Sequence, residues 1–293
     1  MKILDFRKEV DKDSGSKILD VTVADRDGTL STAWKEIIRD RSALIQADGK
    51  VLCELSATPT ELPELAAGWL RSHELISGVD DIEEMTIKDA DGDTDENTDA
   101  NADKSGHENA DEYLSKSENV DEYVEESECE NAGILIDVSL TEKRTGSRSK
   151  NEKMRIDIGE IFELVEERRA EGELRKKTDA THSCRLIEVT CTDEPEYKIV
   201  HCSDDVGRHA AVDKAIGYGV MNNVDLGRCL LLVSSRISSS MIRRAAACGI
   251  KAVISIKYQT TVEAVLTARE KGIMLAGMNR DGELIIYEGA GLI

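Results

Sequence analysis

The chain has 293 residues, 40% of them hydrophobic and 3% aromatic, with three prolines. That is enough aliphatic material for two cores of ordinary size, and no stretch approaches the ~18 consecutive apolar residues that a membrane span needs. A net charge of -21 argues against a nucleic-acid partner, and the early charges of MKILDFRKEVDKD are unlike a signal peptide. Seven cysteines without a CxxC pair do not make a secreted disulfide framework. The expectation is a soluble, cytoplasmic protein with reduced thiols and no membrane contact.

The first clear element is ATPTELPELAAGWLRSHELI, 57–76, a helix with Leu62, Leu65, Trp69, Leu70 and Ile76 on its buried stripe. Thr60 is the expected cap, which puts Pro63 at the third helical position, where no intrahelical amide partner is needed. Next comes the segment 89–130, which holds 17 acidic and 2 basic residues and so carries -15 of the total charge. Its apolar content is too low to offset the entropy of ordering, and it reads as a disordered acidic insert. Asp89, Asp91 and Asp93 have the spacing of a calcium loop. Thr94 and Ala100 then stand where that loop needs glycine and glutamate, so no metal site is expected.

GILIDVSL, 133–140, resumes as a strand, and Ile158, Ile161, Phe162 and Val165 follow at helical spacing. The run EERRAEGELRKK reads as a solvated helix end and hinge. From about residue 184, strands and helices alternate. CLLLV (229–233) is a buried strand and SSRISSS lies between a strand end and a helix start. A helix with Met241, Ile242, Ala245 and Ala246 stops at Gly249. KAVISI is a strand, and TTVEAVLTAREKG is a helix opened by Thr260 or Thr261 and closed by Gly272. MLAGM and ELIIY form a strand pair across NRDG. The fold class expected is α/β, with an α+β N-terminal part and ligands at the carboxyl edge of the C-terminal strands.

That edge concentrates positive charge. Between Asp205 and Arg244 lie Arg208, Lys214, Arg228, Arg236, Arg243 and Arg244 against Asp205, Asp213 and Asp225, a local +3 within a chain of -21. An anion is the natural guest, and a phosphate-rich small molecule suits it better than a polynucleotide. Ser234, Ser235, Ser238, Ser239 and Ser240 supply hydroxyls beside a helix N-terminus, whose amides favour phosphate. Gly207 permits close backbone approach, and Asp205 and Asp213 can hold Arg208, His209 and Lys214 in place. A surface ion-pair network without a ligand, and structural hydrogen-bonding roles for His209 and His182, stay open on the residues alone.

Three segments, DVGRHAAVDKAIG (205–217), VSSRISSSMIRRAAACGI (233–250) and ATPTELPELAAGWLRSHELI (57–76), resemble the FdhD family of formate dehydrogenase accessory sulfurtransferases. The resemblance implies a homodimer of two-domain chains, with 1–88 and 131–173 forming an N-terminal α/β domain and 174–293 a cytidine-deaminase-like three-layer α/β sandwich. It further implies binding of the bis(molybdopterin guanine dinucleotide) molybdenum cofactor, with GDP-like nucleotides as surrogates. Sulfur would pass as a persulfide from a cysteine desulfurase to that cofactor, which then enters the formate dehydrogenase catalytic subunit. The expected cofactor-binding residues are Asp205, Gly207, Arg208, His209, Asp213, Lys214, Ser234, Ser235 and Arg236. They are joined by the family's binding loop, which maps onto Met278, Asn279, Arg280, Asp281, Gly282 and Glu283. Deaminase chemistry is not expected, because the zinc pattern HxE with PCxxC is absent.

The departures matter equally. The family's CxxC loop falls on TEKRTGSRSKNEKMRI, which has no cysteine. Where the family has a Gly-Gly-x-His-Ala-Ala type of sequence, this chain has DATHSC, with His182 and Cys184. If the chain carries sulfur, Cys184, with His182 or Arg185 lowering its pKa, is the best substitute carrier; a small half-buried thiol in place of alanine, with no part in the chemistry, is the reading preferred for the residue itself. Cys53 and Cys248 lie in apolar surroundings, Cys229 begins a buried strand, Cys129 ends the insert, and Cys191 and Cys202 stay open as carriers. A cofactor-binding chaperone that carries no sulfur, or a noncatalytic guanine-nucleotide module, are the other functional readings.

Overall fold

The computed structural model describes residues 1–7, 15–90, 133–141, 154–166, 172–192, 194–257 and 260–293. Most of the acidic segment and the whole interval 142–153 lie outside these residues, as does Cys129.

A first sheet takes strands β1 (Lys2–Asp5), β4 (Arg41–Ala47), β5 (Lys50–Ala57), β6 (Ile82–Asp89) and β7 (Ile134–Leu140) in the order β1-β6-β7-β4-β5. Alternation along β4, β6 and β7 sends Ala43, Ile45, Met85, Ile87, Ile134, Ile136 and Val138 into the core. Strands β6 and β7 are antiparallel, with Asp89 opposite Ile134 and the Ala90 amide bonded to the Gly133 carbonyl at 2.8 Å. The acidic segment therefore leaves and re-enters the sheet at one hairpin end. Among the described strands, β2 (Ser16–Ala24) and β3 (Leu30–Ile38) pair only with each other.

Helix α1 (Leu62–Ser72) covers this sheet with Leu62, Leu65, Ala66, Trp69 and Leu70. Its start differs from the expected one: Glu61, in left-handed conformation at φ 50°, is the N-cap, and Pro63 lies at the first or second helical position. The Thr60 amide is instead turned back onto the Thr58 carbonyl at 2.8 Å. Pro63 costs no hydrogen bond at either place, because first-turn amides have no partner within the helix.

The second sheet has the order β13-β12-β11-β10-β8-β9, with β8 (His182–Val189), β9 (Tyr197–Asp205), β10 (Cys229–Val233), β11 (Ala252–Ser255), β12 (Met274–Met278) and β13 (Leu284–Glu288). Helices α4 (Arg208–Met221), α5 (Ser239–Ala247) and α6 (Val262–Lys271) pack on one face over Cys184, Leu186, Leu231, Val233, Val253 and Leu275. On the other face Ile161 and Leu164 of α2 (Ile158–Glu166) cover Leu230, Leu232, Ile254, Met274 and Ala276. Both faces are thus covered, which is why CLLLV is an unbroken apolar run. Residues 154–166, which the sequence reading groups with the N-terminal part, belong by packing to this second sheet. A short helix α3 (Glu173–Thr178) leads into β8. One continuous core links the two sheets through α1 and α4, which pack directly on each other.

Candidate functional site

Strand directions bring the distant motifs to one edge. Strands β10, β11 and β12 are mutually parallel, so Val233, Ser255 and Met278 end together. Strand β8 runs antiparallel to β10 and begins at that edge, with Cys184 opposite Val233. Strand β9 runs antiparallel to β8 and ends there, with Asp205 opposite His182. Helices α4, α5 and α6 follow β9, β10 and β11, so their N-termini and positive dipole ends gather at the same edge.

The charged residues of DVGRHAAVDK divide into two groups. Lys214 is fully buried and sits 2.5 Å from Asp205, while also donating to the Thr58 carbonyl at 3.0 Å. Asp205 accepts the amides of Thr58 at 3.1 Å and Gly207 at 2.7 Å. Burial holds the Asp205 carboxyl above its ordinary pKa, against the pull of Lys214 and these amides. Asp213, also buried, pairs with Arg244 and accepts from Ser72 at 3.2 Å. Lys214 and Asp205 therefore tie α4 to β9 and to Thr58 ahead of α1, and Asp213 ties it to α5 and to the last residue of α1.

The second group faces the edge. Arg208 and His209 are half-buried at the start of α4, and His182 is half-buried at the start of β8. Desolvation, then Arg244, Arg208 and His182, press the His209 pKa down to about 3. Desolvation, Arg175 and Arg208 lower that of His182. Both imidazoles are neutral near pH 7. His209 Nε2 lies 2.9 Å from the Ser240 hydroxyl and 3.2 Å from that of Ser238, and those hydroxyls are 2.9 Å apart. Ser238 is the N-cap of α5 yet makes no cap bond to the helix. Its hydroxyl is drawn to His209 and Ser240, so the first-turn amides of α5 keep no side-chain cap.

Ser234 is buried and bridges strands: its hydroxyl accepts the Ser183 amide at 2.8 Å and its amide donates to the Ser183 carbonyl at 2.9 Å. Ser235 is buried with its carbonyl held by Ser255 at 2.8 Å. Arg236 is exposed. The loop from Met278 to Glu283 is a tight turn in which the Asn279 carboxamide oxygen accepts the amides of Asp281 and Glu283, both at 2.9 Å. Gly282 takes φ +79° there. Asn279 also donates to Glu283 at 2.8 Å, and Arg280 is exposed.

Cys184 does not meet the expectation placed on it. It is 0% exposed in the core between β8 and the helices. Burial raises its thiol pKa well above the usual value, with Cys202 and Asp213 adding to the effect. Cys202, opposite Arg185, faces the other side of the sheet from Cys184, opposite Ser203, and desolvation first raises its pKa to about 11. Cys53, Cys229 and Cys248 are buried. Among the described residues no accessible thiol stands at the edge.

Sequence reasoning missed Thr58, Ser72, Ser183 and Asp204. The Ser183 hydroxyl donates to Asp204 at 2.6 Å, and Asp204 also accepts the Arg175 amide at 3.0 Å. Only the aspartate pair DD at 204–205 hinted at this second buried carboxylate. Among the described residues no group of three His, Cys, Asp or Glu side chains could hold a metal, and no helix is long and apolar enough to cross a membrane.

Residues 38–293 match the FdhD/NarQ family model. The chain belongs to the FdhD/NarQ family. It is 28% identical over 272 residues to the sulfur carrier protein FdhD of Streptomyces coelicolor, covering 90% of this chain and 91% of that one. It is 42% identical to the protein FdhD of Methanocaldococcus jannaschii over 84 residues, 29% of this chain and 37% of that one. A crystal structure assigned to a formate dehydrogenase accessory protein from Desulfotalea psychrophila superposes with a TM-score of 0.65 at 16% identity, covering 96% of this chain and 100% of that one. The mixed α/β fold is thus the fold of that FdhD relative.

Proposed function

We propose that this FdhD-family protein binds the guanine dinucleotide form of the molybdenum cofactor at the edge built by Arg208, Ser235, Arg236 and the 278–283 turn, and serves formate dehydrogenase maturation. The observation that carries the reading is the uncapped N-terminus of α5, whose capping serine is turned to His209. Free first-turn amides beside Arg208 and Arg236 fit the phosphates of a dinucleotide. Neutral His209 fits as an acceptor that fixes two hydroxyls without adding charge. Calorimetric titration with GDP tests the site. Arg208→Ala is expected to cost about 1.5–3 kcal/mol of binding, and unchanged affinity would remove Arg208 from it.

Within this role, a cofactor chaperone is favoured over a sulfur carrier. Taking up sulfur requires a thiolate that attacks the terminal sulfur of a desulfurase persulfide, keeps that sulfur as a new persulfide and releases the desulfurase thiolate. Cys184 is buried with a raised pKa, and the interval where the family has its CxxC holds no cysteine. Incubation with a cysteine desulfurase and cysteine, followed by mass spectrometry, is expected to leave GDP binding intact and no persulfide on residues 154–293. A persulfide on Cys184 or Cys202 would restore the sulfurtransferase reading.

A further inference from the structure

The ligand edge belongs to the second sheet, yet one of its turns is held from the first. Strand β9 ends the order of its sheet, so where the chain turns from it into α4 the Val206 amide has no strand beside it. The end of β5 supplies the partner. Thr58, fully buried just past β5, engages β9, the turn and α4 at once. Its amide donates to Asp205 at 3.1 Å, its hydroxyl accepts the Val206 amide at 3.2 Å, and its carbonyl accepts Lys214 at 3.0 Å. Gly207 passes so close to β5 that a Cβ there would lie 3.2 Å from the Ser56 carbonyl oxygen.

The segment that carries Thr58 is fixed by other contacts as well. The Pro59 carbonyl accepts Arg7 at 2.8 Å, and Glu61, at φ 50°, lies 2.6 Å from His201 Nε2. Arg208 is the opposite case. Among the described residues its side chain makes no ion pair and no hydrogen bond, so the aim of its guanidinium follows from the backbone of the turn before it. Binding groups have to be held to within ~0.5 Å to work well.

We propose that Thr58 is a positioning residue for the anion site: by holding the Val206 amide, its hydroxyl sets the turn that presents Arg208 to a nucleoside diphosphate. The inference rests on the reading of Arg208 as a phosphate ligand given above. Its consequence is that a site built on the second sheet takes part of its affinity from the first. The Gly207 amide is satisfied locally by Asp205 at 2.7 Å, whereas the Val206 amide depends on a side chain 148 residues away. A buried donor stripped of its acceptor costs more than the bond itself contributed, so the turn without that hydroxyl moves to find water. Linkage requires the converse too: a ligand on Arg208 tightens the Thr58–Val206 contact.

Calorimetric titration of the full chain with GDP tests this, using Thr58→Val, Thr58→Ser, Arg208→Ala and the double variant Thr58→Val with Arg208→Ala. Valine keeps the shape, the amide and the carbonyl of Thr58 and removes the acceptor alone. Thr58→Val is expected to weaken GDP binding roughly 5- to 10-fold, the size of one such lost hydrogen bond, and Thr58→Ser to stay near the parent. With Arg208 already alanine, the same valine is expected to change affinity by less than about 2-fold, since no guanidinium is left to aim. Amide hydrogen exchange at Val206 is expected to quicken in free Thr58→Val and to slow in the wild type when GDP is added. Equal weakening by valine and serine, equal weakening with and without Arg208, or unchanged exchange at Val206 would overturn the inference. GDP that binds the wild type and Thr58→Val alike overturns it alone, while GDP that fails to bind the wild type overturns the proposed function and this inference with it.

Discussion

Gly68 of α1 and Gly217 of α4 meet backbone to backbone where the two helices cross. A Cβ on Gly68 would fall on the Asp213 carbonyl oxygen and lie 2.7 Å from the Gly217 amide nitrogen, and one on Gly217 would fall on the Glu64 carbonyl oxygen. The neighbours here are backbone, so no rotamer change makes room. Gly217→Ala is expected to cost of order 3 kcal/mol and to lower Tm by roughly 5–10 °C. Calorimetry that finds the variant as stable as the parent would show that the helices can separate without loss.

The Asp205–Lys214 pair predicts a different pattern. Both side chains are 0% exposed, so removing one leaves an uncompensated buried charge. Lys214→Met is expected to cost about 3–5 kcal/mol in urea unfolding, and adding Asp205→Asn to recover most of it. A ligand-contacting Lys214 would behave otherwise, with weakened GDP binding at unchanged stability.

These two contacts also mark what the sequence could and could not tell. The stripe of Leu65, Trp69 and Leu70, the run CLLLV and the Gly272 stop were readable, because each follows from local periodicity or backbone conformation. The positive character of the edge was readable from composition around Arg208 and Arg236. The partition of its charges was not: whether Lys214 reaches a ligand or Asp205 depends on which face of α4 meets α1, a long-range fact. The hairpin of β8 and β9 was hidden too, since Arg185, Ser203 and Asp204 interrupt its apolar pattern; Arg185 finds the Leu164 carbonyl, and Asp204 finds Ser183 and the Arg175 amide, only once the chain is folded. Cys184 was misjudged for the same reason, its neighbour His182 lying at the edge and itself in the core.

The depressed pKa of His209, about 3, and of His73, about 4, set the acid behaviour. Each folded-state value lies below the unfolded value of about 6.5, so between these limits the unfolded chain binds more protons. Stability is then fully present above pH ~6.5 and is lost as pH falls through that value toward 4. Thermal unfolding of His209→Gln is expected to show a shallower fall of Tm between pH 6.5 and 4.5. Parallel curves for variant and parent would mean that His209 titrates normally.

Thiol reactivity gives the sharpest check on the sulfur chemistry. Alkylation needs both access and thiolate, and the cysteines at the described positions differ in both. Cys191, partly exposed between β8 and β9, is expected to react first among them. Cys202 follows slowly, held back by its pKa of about 11. Cys184, Cys229, Cys248 and Cys53 are buried and are expected to react only as the chain unfolds, at a rate that falls with added stabilising ligand. Peptide mapping after timed iodoacetamide treatment, with and without GDP, resolves the order. Native-state labelling of Cys184 as fast as that of Cys191 would place its sulfur within reach of the edge. Labelling of Cys184 that GDP slows while Cys229 is unaffected would go further and seat the ligand directly against it.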